Sequence, residues 1–134
     1  MVMTFGACLP AAMAAEIESL SLDNGEYRIP GTLTLPGRLQ VASSCPAVLM
    51  LHGTGSNKDE VGGVYKRLAG ELARAGIASL RIDFAGTGDS SVDYRQYTLS
   101  GATRDARVAL KALGASMWEL IRSVSVCSVS VRGD

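Results

Sequence analysis

The 134-residue sequence has little of what metal, redox and nucleic-acid sites need. It has three cysteines, Cys8, Cys45 and Cys127, and one histidine, His52, none of them at the spacing of metal ligands. An odd number of scattered cysteines predicts neither a disulfide framework nor a zinc site. Thirteen basic and thirteen acidic residues cancel, so no charged surface for nucleic acid or an acidic membrane is expected. We therefore expect no metal, no cofactor and no nucleic-acid partner.

Long apolar runs are also missing, and no stretch is long enough to span a bilayer. Residues 1–15 carry no charge and are rich in small apolar residues, and Ala12-Met13-Ala14 resembles a signal-peptide cleavage site. Because no basic segment precedes it, residues 1–15 are open to two interpretations, a signal-peptide remnant or a disordered start. Export and a cytoplasmic location both stay open, and the sequence does not indicate an oligomeric state.

Residues 46–57 are the most informative stretch in a composition that otherwise indicates an ordinary globular domain or part of one. Pro46 is followed by five consecutive apolar residues and then by a loop rich in Gly, Ser and Asn. A continuous apolar run ended by turn residues predicts a strand buried on both faces, as in a parallel sheet. Gly53 and Gly55 would let the backbone aim N–H groups into the crevice at the carboxyl ends of the strands, where they suit an oxyanion. The same pattern also fits an ordinary strand and tight turn.

The segments on either side of this stretch predict further strands. Residues 17–22 and 27–35 alternate around a turn and predict a hairpin, with Pro30 suited only to an edge strand. Residues 77–84 are predicted to form a second strand, and a second glycine-rich loop follows at 85–90. A helix between this strand and the apolar run at 47–51 would complete a right-handed βαβ unit.

Two helices are predicted from apolar residues that recur every three or four positions. The apolar face of the first, residues 63–76, consists of Val64, Leu68, Leu72 and Ala75. The apolar face of the second, residues 99–113, consists of Ala102, Ala106, Ala109 and Leu113. Gly76 is placed to end the first helix, and Arg104 and Asp105 are expected on the wetter side of the second.

Three segments together resemble the N-terminal half of an α/β-hydrolase, of the branch that includes cinnamoyl and feruloyl esterases and serine aminopeptidase-like lipases. Residues 52–57 are similar to its HG-x-x-x-N oxyanion loop, residues 76–84 to its G-[IY]-x-[SV]-x-R-x-D segment, and residues 86–90 to its G-x-G-x-S turn. Each motif is short, and their order and spacing within residues 17–113 make the resemblance specific. It implies an α/β fold, with an N-terminal hairpin leading into a parallel βαβα sheet: a partial α/β-hydrolase that stops at the strand before the nucleophile elbow.

The resemblance also implies roles for particular residues. The backbone N–H of Thr54 would be one oxyanion-hole donor, and the second would come from the residue after the nucleophile. His52 and Gly53 would shape the oxyanion loop. His52 would not be the base, because the catalytic histidine of this family follows the nucleophile and the acid. Arg81 and Asp83 would support loops at a strand end rather than take part in catalysis.

Residues 114–134 depart from the family pattern. Ser130 falls at the nucleophile position, but Ser128 and Arg132 replace the two glycines of the G-x-S-x-G elbow. The elbow is a strained turn between a strand and a helix, and an arginine fits poorly at so crowded a position. Ser130 is therefore a nucleophile candidate only by its place in the sequence.

A shifted reading frame is one explanation for this segment. With freely chosen synonymous codons, the shifted frame is compatible with a polar loop, an apolar strand and a serine elbow, which would place the frame break near Leu113. The Ser–Val alternation of residues 123–131 would then be an accident of the wrong frame, and an aggregation hazard more than a designed strand. The other explanation is a genuine short protein.

These observations divide the chain into residues 1–15, the N-terminal half of a hydrolase domain at 16–113, and an atypical tail at 114–134. Two functions remain. The first is a serine hydrolase acting on a small-molecule carboxylic ester or related acyl substrate, with this chain inactive by itself. The second is a noncatalytic truncated product or a binding module built on the partial scaffold. A serine elbow and a later histidine in the intact reading frame would support the serine hydrolase over the noncatalytic product.

Overall fold

A computed structural model describes residues 14–37, 45–116 and 124–128 of the chain. Its helices and strands, in chain order, are β1 (Glu16–Asp23), β2 (Arg28–Leu35), β3 (Ala47–Leu51), α1 (Val64–Arg74), β4 (Ala78–Ile82), α2 (Leu99–Ser116) and β5 (Val124–Ser128). Short 3-10 turns at Val61–Gly63 and Tyr94–Gln96 precede the two helices. The strands form one sheet in the order β1-β2-β4-β3-β5. Neither of the helices described is long and apolar enough to cross a membrane.

The predicted βαβ unit is confirmed, because β3 and β4 pair in parallel and α1 connects them. Both strands are apolar and largely buried; Leu49 is 0% exposed and Leu80 1%. Their register aligns Leu51 with Ile82, so the two strands end level with each other. The loops that follow them therefore leave the same edge of the sheet.

The predicted hairpin is also confirmed, since β1 and β2 pair antiparallel, but β2 is not an edge strand. It lies between β1 and β4, although Pro30 has no N–H to donate. The Pro30 carbonyl accepts a hydrogen bond from the Asp83 N–H (2.9 Å), just after β4 ends at Ile82. In an antiparallel ladder the N–H and C=O of one residue point to the same side, so the N–H that proline lacks would point toward β4. Pro30 lies just beyond Gly31 and Ile82, the last pair of the β2–β4 ladder, so proline is tolerated there.

Helix α1 lies where it was expected, but its buried face was predicted one position too early. The buried residues are Tyr65, Ala69 and Ala73, whereas Val64 is 47% exposed. Alanine lets the helix approach the sheet closely, and the Tyr65 hydroxyl donates to the Leu51 carbonyl (3.0 Å). The buried tyrosine was missed because the prediction followed the aliphatic residues alone.

The C-terminus of α1 ends as predicted. The Gly76 N–H donates to the Ala73 carbonyl (3.1 Å), and the Ile77 N–H donates to the Leu72 carbonyl (2.9 Å). This is the pair of hydrogen bonds of a Schellman motif, with Gly76 at φ 80°. The chain is thereby turned directly into β4.

Helix α2 buries the apolar face that was predicted, with Ala102, Ala109 and Leu113 in the core. The expectation for Asp105 was wrong, because this residue is 0% exposed. Its carboxylate accepts hydrogen bonds from Asn24 Nδ2 and the Tyr27 hydroxyl, each at 2.8 Å. Burial and the hydrogen bond to Asp105 raise the pKa of Tyr27 to about 12. Asp105 therefore fastens the hairpin turn to α2, a contact that helical spacing could not indicate.

Residues 124–128 form a strand, which corrects their interpretation as an aggregation hazard rather than a strand. β5 pairs in parallel with β3, on the side away from β4, and Leu51 aligns with Ser128. Alternating β-branched residues suit a pleated strand whatever their origin. Ser130 and Arg132 lie outside the described residues, and the shifted reading frame stays a prediction.

Candidate active site

Two loops leave the carboxyl ends of β3 and β4 side by side. We call residues 52–60 the first loop and residues 84–90 the second loop. Open α/β sheets place their ligand crevice at this edge. The two loops carry most of the residues that the sequence singled out, and together they form the candidate site.

His52 lies beneath the first loop and is 6% exposed. Its Nε2 accepts a hydrogen bond from the Phe84 backbone N–H (3.2 Å). A backbone N–H can only donate, so the hydrogen-bond network assigns the ring proton to Nδ1, which donates to the Gly53 carbonyl (2.8 Å). Thr87 Oγ1 also lies 3.1 Å from Nε2, and the Phe84 ring packs 4.8 Å from the imidazole between centroids. With both nitrogens engaged, His52 is placed to shape the loop and not to take a proton from a nucleophile.

The Gly53 carbonyl fixes the direction of the next N–H along the chain. It accepts hydrogen bonds from His52 Nδ1 and from the Ser56 N–H (3.2 Å), which closes a tight turn with Gly55 at φ 75°. A trans peptide is planar, so holding this carbonyl directs the Thr54 N–H the opposite way. Within the described ranges, the Thr54 N–H donates to no acceptor, and Thr54 lines a cavity.

The second loop, by contrast, uses its own backbone donors. The Thr87 N–H donates to the Phe84 carbonyl (3.1 Å), and the Ser90 N–H donates to the Thr87 carbonyl (2.9 Å). The Gly86 N–H donates to Ser90 Oγ (3.0 Å). Phe84 and Thr87 also contact His52, so the second loop supports the first.

Asp83 joins the two loops from below and is 0% exposed. Its carboxylate accepts hydrogen bonds from the Lys58 N–H and Lys58 Nζ, both at 2.7 Å, and from the Asp89 N–H (3.0 Å). Burial by itself lowers the pKa of Lys58, but its hydrogen bonds and charge contacts with Asp83 and Asp89 outweigh burial and raise it. Gly88 passes so close to this carboxylate that a Cβ would lie 2.3 Å from Asp83 Oδ1, so no other residue fits without a shift.

Arg81 supports the first loop from the buried end of β4. It is 4% exposed and forms an ion pair with Asp59. Arg81 and Asp83 both contact loop residues, which is the supporting arrangement expected of them. The donors described for Asp83 belong to Lys58 and Asp89, and none is a histidine that Asp83 could orient as the acid of a triad.

A cavity of about 660 Å³ opens beside the first loop, a size typical of small-molecule sites. Its polar lining comes from the first loop: His52, Gly53, Thr54, Ser56 and Glu60. Its other lining residues are mainly apolar: Leu51, Val61, Phe84, Tyr97, Leu99, Ala102, Thr103 and Ala106. The Phe84 and Tyr97 rings meet edge to face at 6.2 Å between centroids. This combination suits a ligand with an apolar body and one polar group.

The structure places His52, Gly53 and Thr54, which the sequence singled out, at the cavity, and it adds Lys58, Glu60 and Thr87, which sequence reasoning missed. Lys58 and Glu60 belong to a run of three charged residues, 58–60, directly after a turn and before a helix, and this run was the sequence feature that could have indicated them. Such a run is usually solvated, and only the fold shows that it turns inward. No group of three or more His, Cys, Asp or Glu that could hold a metal ion occurs in the part of the chain that the structure describes.

No protein-family model matches the sequence, and a comparison with curated proteins finds no match either. Among solved structures, the chain is similar to Est1E of Butyrivibrio proteoclasticus, solved with bound ferulic acid. The identity is 19% and the TM-score 0.71, over 83% of this chain and 42% of that one. The esterase Pf2001 of Pyrococcus furiosus matches at 18% identity and TM-score 0.68, over 93% and 44% of the two chains. Dienelactone hydrolase of Anabaena variabilis matches at 21% identity and TM-score 0.65, over 87% of this chain and 52% of that one.

These similarities show the fold. The chain has the N-terminal portion of the α/β-hydrolase fold, as the three sequence motifs predicted. It spans 42% to 52% of the length of these three structures.

Proposed function

We propose that this chain is the N-terminal part of a serine hydrolase of carboxylic esters or related small acyl compounds, and that it supplies one oxyanion-hole donor, the Thr54 N–H. The observation that carries the proposal is the first loop. His52 and Ser56 hold the Gly53 carbonyl, and among the described residues the Thr54 N–H, beside a cavity, has no acceptor. A fixed donor of this kind stabilises a developing oxyanion because it needs no reorganisation during the reaction.

The position that β5 occupies beside β3 supports the same proposal, because the strand that leads to the elbow in an intact reading frame would pair with β3 there. β5 lies next to β3 and ends level with it, with Ser128 aligned to Leu51. The chain therefore leaves β5 at the edge from which the first loop leaves β3. A nucleophile on a turn after this strand would attack a carbonyl whose oxygen is within reach of the Thr54 N–H.

In such a reaction a serine attacks the carbonyl and a histidine takes its proton, while two N–H donors hold the tetrahedral intermediate. His52 is not that base, because both its nitrogens are engaged. We infer that the base, the acid and a glycine-flanked serine belong to an intact reading frame, and that the 134-residue chain is inactive by itself. Residues 1–15 and 114–134 would then lie outside the hydrolase half-domain proper.

One observation favours the alternative, a noncatalytic truncated product or binding module. His52 is the single histidine of the 134 residues and is committed to the loop. The cavity and its polar wall would remain available for binding in that case. The two functions differ in whether the bases downstream of codon 113 encode a serine elbow.

The chain as it stands should not hydrolyse 4-nitrophenyl acetate above a general protein background. A fluorophosphonate probe should likewise leave Ser130 unlabelled. Stoichiometric labelling of Ser130 would contradict the proposal that this chain is inactive.

The decisive experiment starts from the nucleotide sequence around codons 110–134 and beyond. If a shifted frame encodes a G-x-S-x-G elbow followed by an acid and a histidine, the repaired protein should hydrolyse activated esters, and Ser→Ala at the elbow should abolish this activity. If no frame encodes an elbow, the hydrolase proposal is wrong.

Thr54→Pro would then test the oxyanion donor in the repaired protein. Proline is favoured at the second position of such a turn, so the variant keeps the turn, removes the N–H and puts the Cδ methylene in the place of its hydrogen. We expect kcat to fall about 10²–10³-fold, as for the loss of one oxyanion-hole donor. Thr54→Ala, which keeps the N–H, is the matched control and should retain activity within a few fold.

A further inference from the structure

Glu60 closes the first loop in an uncommon backbone conformation. Its φ is 57° and its ψ is 175°, and it is the one residue other than glycine with a positive φ in the described ranges. This region of conformational space is almost restricted to glycine, and a residue remains there only when its surroundings hold it. Glu60 is half-buried and lines the cavity beside Thr54.

The surroundings that hold Glu60 are the two ends of the oxyanion turn. Glu60 Oε1 accepts a hydrogen bond from the Gly53 N–H at 2.6 Å. Glu60 Oε2 accepts one from Ser56 Oγ at 2.8 Å and one from the Val61 N–H at 3.2 Å. One carboxylate therefore bridges the first and last residues of the turn that contains Thr54.

These contacts lock the backbone on both sides of Gly53. Glu60 holds the Gly53 N–H, while His52 and Ser56 hold the Gly53 carbonyl. With both groups of Gly53 engaged, the peptide that carries the Thr54 N–H has no rotation left. Glu60 also occupies the Gly53 N–H, so this donor is not available to an oxyanion that binds at the Thr54 N–H.

We propose that Glu60 is the positioning residue of the oxyanion loop: it fixes the direction of the Thr54 N–H by bridging Gly53 and Ser56. The inference rests on the proposed function, since it assigns a purpose to that N–H. Glu60 acts as an anion here. Burial by itself raises the pKa of Glu60, but the hydrogen bonds from Gly53, Ser56 and Val61 outweigh burial and lower it. Ionised carboxylates accept hydrogen bonds more strongly than neutral groups do.

The test is amide hydrogen exchange of the 134-residue chain, followed residue by residue by NMR. In Glu60→Gln the side chain keeps its size but loses its charge and one acceptor oxygen. We expect the Gly53 amide to exchange about tenfold faster or more, and the Gly53 and Thr54 amide resonances to shift. Ser56→Ala, which removes one end of the bridge, should produce a smaller change in the same residues.

Glu71→Gln is the matched control, because Glu71 is an exposed glutamate on α1 whose described contact is an ion pair with Arg74. It should leave the Gly53 and Thr54 amides unchanged. Unchanged Gly53 exchange in Glu60→Gln would overturn the inference. So would an equal acceleration at Gly53 and at Leu49 in β3, because Glu60 would then act on the whole fold and not on the loop.

This outcome is separate from the fate of the proposed function. Hydrogen exchange does not require catalysis. If exchange at Gly53 depends on Glu60 but no reading frame encodes a serine elbow, the positioning role is supported and the hydrolase proposal is wrong. If the repaired protein is active and Glu60→Gln changes neither loop exchange nor kcat, the hydrolase proposal is supported and the positioning role of Glu60 is wrong.

Discussion

The two glycine-rich loops follow neighbouring parallel strands and resemble each other in sequence, yet they differ in what their backbone donors do. In the second loop the N–H groups of Gly86, Thr87, Asp89 and Ser90 all have acceptors. In the first loop the turn is held by side chains from elsewhere, and the Thr54 N–H has no acceptor in the described part of the chain. The N–H groups of Gly55 and Asn57 in the first loop, and of Ala85 and Gly88 in the second, also have no acceptor among the described residues, but of these five residues only Thr54 lines the cavity. An unused donor in a glycine-rich loop therefore marks a candidate site only where it adjoins a cavity.

The difference also assigns each loop its part. The second loop supports His52 through Phe84 and Thr87, and is itself held in part by Asp83 through the Asp89 N–H. The first loop depends on the second, on Asp83 and on Glu60 for its shape. Variants that act on both loops, on one loop, or on the link between them should separate these roles.

The largest effect is expected where both loops depend on one group. Asp83→Ala would leave the largely buried Lys58 ammonium with only the exposed Asp89 as a partner. We expect the free energy of unfolding, measured by urea denaturation, to fall by about 3–5 kcal/mol. Glu71→Ala, at an exposed ion pair, should change it by about 0.5 kcal/mol or less. A loss at Asp83 no larger than at Glu71 would show that the loops do not share this support.

A change restricted to the second loop should cost less. Gly88→Ala places a Cβ 2.3 Å from Asp83 Oδ1 at a residue with φ 51°. We expect a loss of about 1–3 kcal/mol of unfolding free energy. Gly70→Ala is the control, since this helical glycine has no atom within 4 Å of an added Cβ, and it should stabilise by about 0.5–1 kcal/mol. Equal effects at the two glycines would contradict the close approach.

The link between the loops should appear as a coupling energy. Thr87 Oγ1 lies 3.1 Å from His52 Nε2 across the two loops. In a double-mutant cycle of His52→Ala and Thr87→Val, we expect a coupling of about 0.5–1.5 kcal/mol from urea denaturation. Thr103→Val serves as the control partner for His52→Ala, because Thr103 Oγ1 donates within α2 to the Leu99 carbonyl, and its coupling should be near zero. Strict additivity of His52 and Thr87 would mean that the second loop does not support the first.

The smallest effect is a difference in acid response. The pKa of Glu60 in the folded protein lies below its ordinary value of 4.5, so its contribution to stability is present above that pH and is lost as the pH falls through the folded pKa. In an NMR titration from about pH 6 to about pH 3, the Gly53 amide of the first loop should shift as Glu60 takes up its proton. The Gly86 amide, held by the Ser90 hydroxyl, should not follow the same curve. Identical curves at Gly53 and Gly86 would remove this distinction between the loops.

The elements of the fold could be predicted largely from the sequence, because their signals are local. The apolar run at 47–51 and the strand at 78–82, with a helical pattern between them, define a βαβ unit whatever lies around it. The glycine loops, the hairpin and the end of α1 follow from turn residues at fixed offsets. The errors lay where tertiary contact overrides pattern: Tyr65 in the buried face of α1, and Pro30 inside the sheet.

The sequence by itself determined the α/β architecture and the place of the oxyanion-type loop, since periodicity and turn chemistry act over a few residues. Only the tertiary structure decided which groups of that loop are occupied. The Phe84 N–H meets His52 across 32 positions, the Lys58 N–H meets Asp83 across 25, and Asn24 meets Asp105 across 81. Hydrogen bonds between residues so far apart depend on how the strands pair, and no local pattern encodes them. Within the described ranges the Thr54 N–H has no acceptor once these bonds have formed, and it is the tertiary structure that places Thr54 at the cavity.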